Sequence, residues 1–199
     1  MKRKMNKKNK AKSAIVLLLA VCLVFAYFAL FNNVNSLYPQ NKRMVYEEGS
    51  TFVTQSAEFA VEGSDLLGMA EIESDKELVA FLEKNTDYLS GVGDLNMALI
   101  QLVIKNPTKE PINVDLTAFH LESGSFSSQF YYLLMYYYNE CGMYIDLDAG
   151  EEKRLTVPVP IPEIQFLNYS VENIQNCNYY LVCSLYPEKI MAEVKFNNN

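Results

Sequence analysis

The first thirty-one residues constrain this chain more than any other segment. Residues 2–12 carry seven Lys or Arg (Lys2, Arg3, Lys4, Lys7, Lys8, Lys10, Lys12) and no acid. Residues 13–31, Ser13 to Phe31, then run for nineteen residues without a charge, rich in Leu, Val, Ala and Phe. As a helix this run is roughly 28 Å long at about 1.5 Å per residue, close to a hydrocarbon core of about 30 Å. The basic flank is expected in the cytoplasm, which puts everything after Phe31 outside. The segment speaks to compartment and anchoring; it names no reaction.

Three readings share this layout. A cleaved signal peptide needs a short apolar region and a small-x-small cleavage site. Here the run is long, and its end, Ala26-Tyr27-Phe28-Ala29-Leu30-Phe31, sets its small residues among bulky aromatics. A lipid-modified cysteine is the second reading, because Leu19-Ala20-Val21-Cys22 approaches a lipobox. It departs where Val21 replaces a small residue and where uncharged residues continue past Cys22. An uncleaved transmembrane anchor is the third reading and the one the residues fit best.

The seven basic residues of the tail leave 17 − 7 = 10 for residues 32–199, where all 24 acids lie, a net charge of 10 − 24 = −14. Such a surface repels phosphate backbones and anionic headgroups, so nucleic acid is not an expected partner. The expected organisation is a basic cytoplasmic tail over 1–12, a transmembrane helix over 13–31, a stalk over 32–42 and an extracytoplasmic domain over 43–199. The last is large enough for a real core.

That outer part reads mostly as strands. Glu58 to Glu62 is short and alternating. Met97 to Lys105 is the strongest strand, with Ala98, Ile100, Leu102 and Ile104 toward the core. Asn106 to Pro111 is a turn. Ile112 to Leu116 alternates again, Phe119 and Leu121 resume after an irregularity at Thr117-Ala118, and Gly124 closes the stretch. Phe130 to Tyr138 is an aromatic run read as a strand. Tyr144 to Leu147 leads to a hairpin at Asp148-Ala149-Gly150-Glu151, returning through Leu155, Val157 and Val159. The prolines at 158, 160 and 162 make that end an edge. Tyr179 to Leu185 and Ile190 to Phe196 close the chain. One helix is expected at about 75–84, from a capping box at Ser74 and Glu77 followed by Leu78, Phe81 and Leu82. The pattern argues for a mostly β protein, an antiparallel immunoglobulin-like sandwich with one short helix.

Particular stretches sharpen that expectation. Val103-Ile104-Lys105-Asn106-Pro107-Thr108-Lys109-Glu110-Pro111 resembles the strand and Lys-Asn-x-Ser/Thr turn of immunoglobulin-like domains carried outside Gram-positive cells. Leu147 to Glu151 resembles their later hairpin. Leu181-Val182-Cys183-Ser184-Leu185-Tyr186-Pro187 is similar to the closing strands of a group of single-pass Firmicutes proteins of unknown function. The likeness covers residues 58–196 and implies fold and compartment. It brings no catalytic residue, and fold alone confers no function.

Candidate chemistry is sparse. His120 is the single histidine. It stands on a strand with no nucleophile elbow beside it, so a Ser-His-Asp triad is not expected. One imidazole and the thiol spacing leave no zinc site. Asp146-Leu147-Asp148-Ala149-Gly150 mimics the start of a calcium loop but lacks the later ligands, so no metal and no cofactor is expected. A carboxylate pair such as Asp115 with Glu122 has no inferred cleft. Gly91-Val92-Gly93-Asp94 precedes a strand and reads as a turn, not a phosphate cradle.

Of the outer cysteines, Cys177 and Cys183 are too far apart along one strand to bridge. A Cys141–Cys177 disulfide or three unpaired thiols both remain open. The tyrosines Tyr131, Tyr132, Tyr136, Tyr137 and Tyr138 are the binding candidates, since Tyr offers a large contact area with a polar tip. The alternative is that they are packing residues. The reading reached from sequence is a non-enzymatic, membrane-anchored binding or accessory module whose partner is an envelope protein, peptide or glycan. Capture of an extracellular cationic peptide and envelope-polymer hydrolysis are the alternatives.

Overall fold

The computed structural model describes residues 7–37, 42–85, 95–162 and 174–196. The chain divides into two compact units, Met1–Asn41 and Lys42–Asn199. The first holds helix α1 (Lys7–Leu37), so helix continues into the segment read as a stalk. Within it Val16–Val34 is long and apolar enough to cross a membrane, with a mean hydropathy of 2.2.

The second unit is a β-sandwich. Its five-stranded sheet comprises β1 (Arg43–Tyr46), β11 (Lys189–Val194), β10 (Tyr179–Ser184), β6 (His120–Ser123) and β7 (Phe126–Gln129), in that spatial order. Its four-stranded sheet runs β2 (Phe52–Thr54), β3 (Ala57–Leu67), β4 (Leu95–Lys105), β9 (Glu152–Pro162). A short third sheet pairs β5 (Ile112–Asp115) with β8 (Tyr144–Leu147). The named strands pair antiparallel except that β1 runs parallel to β11, and an isolated parallel bridge joins Ser64 to Phe196, so the sandwich is mixed where a purely antiparallel one was expected.

The alternation in the sequence becomes the core. Ala98, Ile100, Leu102 and Ile104 of β4 are all fully buried, facing Leu121, Leu181 and Ala192 of the other sheet within one cluster. A line of rings crosses it: Tyr46 to Phe52 at 5.2 Å, Phe52 to Phe59 at 5.7 Å, Phe59 to Phe119 at 5.4 Å and Phe119 to Phe130 at 6.2 Å. Burying each such side chain contributes about 2–3 kcal/mol before ordering costs.

Four expectations need correction. The Asp148–Glu151 segment is a turn, closed by the Glu151 N–H donating to Asp148 O at 3.0 Å, but not a hairpin. Strand β8 pairs with β5, and β9 pairs with β4, so the turn carries the chain from one sheet to another. The helix near 75–84 is α3 (Lys76–Lys84), but its cap is Asp75, whose carboxylate accepts the N–H groups of Glu77 at 3.1 Å and Leu78 at 3.0 Å. Ser74 is already the last residue of an unexpected helix, α2 (Met69–Ser74). Its hydroxyl donates to Glu71 O at 2.7 Å. The run Tyr132–Asn139 is a helix, α4, not a strand. Phe130 to Asn139 contains no β-branched residue to favour extended backbone, and Leu and Met are good helix formers. The Gly91–Asp94 turn lies outside the described residues.

Helices α2, α3 and α4 explain a continuous apolar stretch. Met97 and Leu99 point to the opposite face of β4 from Ala98 and Ile100, and would be exposed on a one-sided strand. Here Met97 is fully buried in a second cluster with Ile72 of α2, Leu78 of α3 and Leu134 of α4. The start of β4 is therefore covered on both faces.

Two features of the chain path hold the sandwich edges. Asn106 is fully buried just after β4. Its amide donates to Glu110 O at 2.8 Å, Asp148 O at 2.9 Å and Leu147 O at 3.2 Å. Its Oδ1 accepts from the Thr108 backbone at 2.9 Å and hydroxyl at 2.7 Å. The Asn-x-Thr sequence thus clamps the 106–110 turn onto the crossing at 147–151. The second is strand β9, whose prolines at 158, 160 and 162 turn their nitrogens away from β4. The outward N–H of Thr156 donates to Asn139 Oδ1 at 2.7 Å, and Asn139 Nδ2 returns a bond to Thr156 O at 2.8 Å. Between Thr156 and Pro162 the outer edge offers no free donor.

Candidate functional site

Helix α4 sorts the five tyrosines into two groups. With 3.6 residues per turn, Leu134 and Met135 point inward and are buried. Met135 joins the main core, and Leu134 the helix-covered cluster. Tyr131, Tyr137 and Tyr138 flank Leu134 and pack half-buried on that same cluster. The Tyr137 ring lies 4.9 Å from Phe81 of α3 and 5.0 Å, edge-on, from Tyr138. Tyr132 and Tyr136, four residues apart, face outward with 60% and 57% of their surface exposed.

The electrostatics follow this division. Burial raises the Tyr131 phenol above its ordinary value. Burial, with Tyr137 and Asp75 adding to it, pushes Tyr138 up to about 12. Tyr137 is raised by burial and by the carboxylates of Asp75 and Glu77. All three stay protonated near neutral pH. Tyr132 and Tyr136 thus offer two rings to solvent, while Tyr131, Tyr137 and Tyr138 pack inward, with Tyr137 in the field of the Asp75 and Glu77 carboxylates.

Cys141 and Cys177 are both half-buried thiols with no S–S bond between them in this structure. Cys141 follows α4 and lies in the field of Lys153 on β9. Cys177 lines a cleft of about 310 Å³ with Tyr179 and Phe196, where the five-stranded sheet begins. Both lie outside the strands, Cys141 between α4 and β8 and Cys177 just before β10. Cys183 is a buried core thiol, raised far above its ordinary value by burial.

His120 sits on β6 with both ring nitrogens engaged, Nδ1 3.0 Å from Ala118 O and Nε2 3.0 Å from Glu122 Oε1. Lys189 on β11 donates to the other Glu122 oxygen at 2.5 Å. Burial raises the Glu122 carboxyl, but the hydrogen bonds from Lys189 and His120 outweigh it and hold the group below its ordinary range. Asp115, on the two-stranded sheet, is instead lowered by the hydrogen bonds of Thr117. The two carboxylates considered as a pair therefore sit on different sheets.

The calcium-like segment is internally committed. Asp146 Oδ1 accepts from Asn113 at 2.8 Å, and Glu151 Oε2 accepts from the Asp148 N–H at 2.6 Å. Lys153 lies 3.5 Å from Glu151. Among the described residues no group of three or more His, Cys, Asp or Glu side chains is placed to hold a metal ion.

No protein-family model and no curated protein matches the chain. Among solved structures it is similar to the yjhA protein of Bacillus subtilis, at 14% identity and TM-score 0.43, covering 76% of this chain and 99% of that one. A functionally unknown protein from Listeria monocytogenes is similar at 9% identity and TM-score 0.48, over 76% of this chain and 84% of its own. An uncharacterized β-sandwich protein from Clostridium difficile is similar at 11% identity and TM-score 0.40, over 78% of this chain and 98% of its own.

Proposed function

We propose that this chain is a membrane-anchored, extracytoplasmic binding or accessory module of the cell envelope, without catalytic activity. Its head is an immunoglobulin-like sandwich that meets a partner through α4. The observation that carries the reading is the combination, in one chain, of an exposed apolar span from Val16 to Val34 and a sandwich domain bearing the exposed Tyr132–Tyr136 pair. The span needs an apolar surrounding that water does not supply. Exposed aromatic side chains with polar tips suit a contact surface. A Greek-key path supports the immunoglobulin-like assignment, because β10 returns beside β6 after β7, β8 and β9 have intervened. The engagement of His120 by Ala118 and Glu122 favours a non-catalytic role, since a triad base needs one ring nitrogen on the nucleophile.

The test uses the full chain in intact cells, with a photo-crosslinking residue at position 136 or, as control, at position 58. External protease should remove the head while a cytosolic marker survives, and position 136 should capture a discrete partner that position 58 does not. A head protected as well as the marker, or equal capture from both positions, defeats the reading.

A further inference from the structure

The chain enters the head at the same end of the five-stranded sheet where β10 turns into β11. β1 and β11 run parallel with Arg43 beside Lys189, and the Lys189 N–H donates to Lys42 O at 2.9 Å. β10 and β11 are antiparallel, so their link, residues 185–188, projects from that end. Leu185, Tyr186 and Pro187 in it are all exposed. Tyr186, at 80%, is the most exposed large hydrophobic side chain among the described residues, and Leu185 beside it stands at 53%. The Ser184 hydroxyl donates to Tyr186 O at 3.1 Å and holds the backbone of this tip.

The charge here is unlike that of the rest of the head. Residues 42–43 and 184–189 hold Lys42, Arg43 and Lys189 against Glu188, 3 − 1 = +2, in an outer part whose net charge is 10 − 24 = −14. Glu122 engages Lys189, so the local excess resides on Lys42 and Arg43, both exposed. The chain length before this end bounds its reach. Val34 ends the apolar span, and eight peptide steps lead from it to Lys42. At about 3.5 Å each they extend to about 28 Å at most.

We propose that the Leu185–Pro187 tip dips into the outer surface of the bilayer that holds the same chain's span. Leu185 enters the acyl region, Tyr186 sits at headgroup level, and Lys42 and Arg43 meet lipid phosphates. This rests on the reading of the N-terminal helix as an uncleaved anchor. A tyrosine ring with a polar tip suits that depth, and long basic side chains place their heads at the phosphates. Tethering gives an effective concentration in about the millimolar range, so a contact too small to recruit a free domain is occupied here. The acidic remainder of the head is repelled by anionic lipid, which confines the contact to the tip. A second copy docked tip to tip would set Lys42 and Arg43 against their equals.

The chain contains no tryptophan, so one can be introduced as a depth probe. The full chain carrying Tyr186→Trp is reconstituted in vesicles of about four parts phosphatidylcholine to one of phosphatidylglycerol, with or without lipid brominated along the upper acyl chain. Ser125→Trp is the control, in the exposed β6–β7 turn at the opposite end of the same sheet. Brominated lipid should quench the Tyr186→Trp emission about twofold and the Ser125→Trp emission by less than about a tenth. Adding Leu185→Asp to the first variant should lower its quenching to the control's, because a carboxylate is excluded from hydrocarbon. Equal quenching at the two positions, or none at position 186, overturns the proposal. So does shielding of position 186 that grows with the number of chains per vesicle and ignores bromine, the mark of a second copy. Flotation on a density gradient tests the anchor separately. Chains that float with position 186 unquenched defeat this inference alone; chains that do not float defeat the anchor reading and this inference with it.

Discussion

Replacing Asn106 should damage this domain more than its place in a turn suggests. The side chain is fully buried and makes two strong donated bonds, a longer third one, and two accepted bonds. An intramolecular hydrogen bond contributes about 1 kcal/mol net, and a buried group left without a partner costs about 1–3 kcal/mol. Asn106→Ala removes about 4 kcal/mol of bonding on that scale. Water can reach the outer acceptors at Glu110 and Asp148, so the expected loss is about 2–4 kcal/mol. Urea unfolding of the full chain in non-ionic micelles, followed by circular dichroism, measures it. With a slope of about 2 kcal/mol per molar, the midpoint should fall by about 1–2 M. Asn106→Asp sharpens the test. The introduced carboxylate still accepts from Thr108 but has no hydrogen to give to the carbonyls of Glu110, Leu147 and Asp148. Its loss should be at least as large at neutral pH and should shrink in acid, where the carboxyl gains one donor. A change below about 0.5 kcal/mol for Asn106→Ala would show that the clamp carries no weight and would refute the argument.

Other expectations follow from the same geometry. Tyr132→Ser and Tyr136→Ser should each change stability by less than about 0.5 kcal/mol, whereas Leu134→Ala should cost about 2–4 kcal/mol in the same urea assay. Similar losses at all three positions would mean the outward face is packed. Glu122 has a folded-state pKa below its ordinary value, so its contribution is present above the ordinary carboxylate range and fades as pH falls through the lowered value. The parent chain should therefore exceed Glu122→Gln in stability at neutral pH, by less than about 1 kcal/mol given its partial exposure, and the two should converge in acid. A gap that widens in acid would reverse the sign of this argument. Asn139→Ala combined with Pro158→Val and Pro160→Val restores outward donors on β9. Light scattering should then show concentration-dependent association that the parent chain lacks. Intact mass should be the same with and without reductant, since Cys141 and Cys177 carry no S–S bond in the structure; a gain of about 2 Da on reduction would contradict it.

The strands with one buried face were the most legible part of the fold. Period-two alternation in 98–104 and 112–116 is a local signal, and the inward residues of those strands are where the core lies. Pairing was not legible, because it is decided far along the chain. The turn at Asp148–Glu151 has hairpin chemistry, yet its flanking strands find different partners in β5 and β4. Asn106 could be read as a turn residue, but its acceptors at 147 and 148 lie about forty residues on. The helix start shows two local rules in conflict. Ser74 satisfies the capping-box spacing, but α2 had already claimed it, and the adjacent Asp75 made the cap. At the candidate site, an aromatic run without β-branching fits either a strand or a helix. Only the helical period separates Tyr132 and Tyr136 from Tyr131, Tyr137 and Tyr138, and that period became visible once α2 and α3 supplied something for Leu134 to pack on.

The proline-lined side of β9 has a consequence for many such molecules held close together. A neighbouring strand arriving there would meet oxygens but few hydrogens to share, so the four-stranded sheet cannot serve as a template for its own growth along that margin. Close crowding can then raise collision frequency without zipping one molecule to the next. The rim that never recruits a strand leaves the tyrosine-bearing helix beside it as the part of that flank with something to offer.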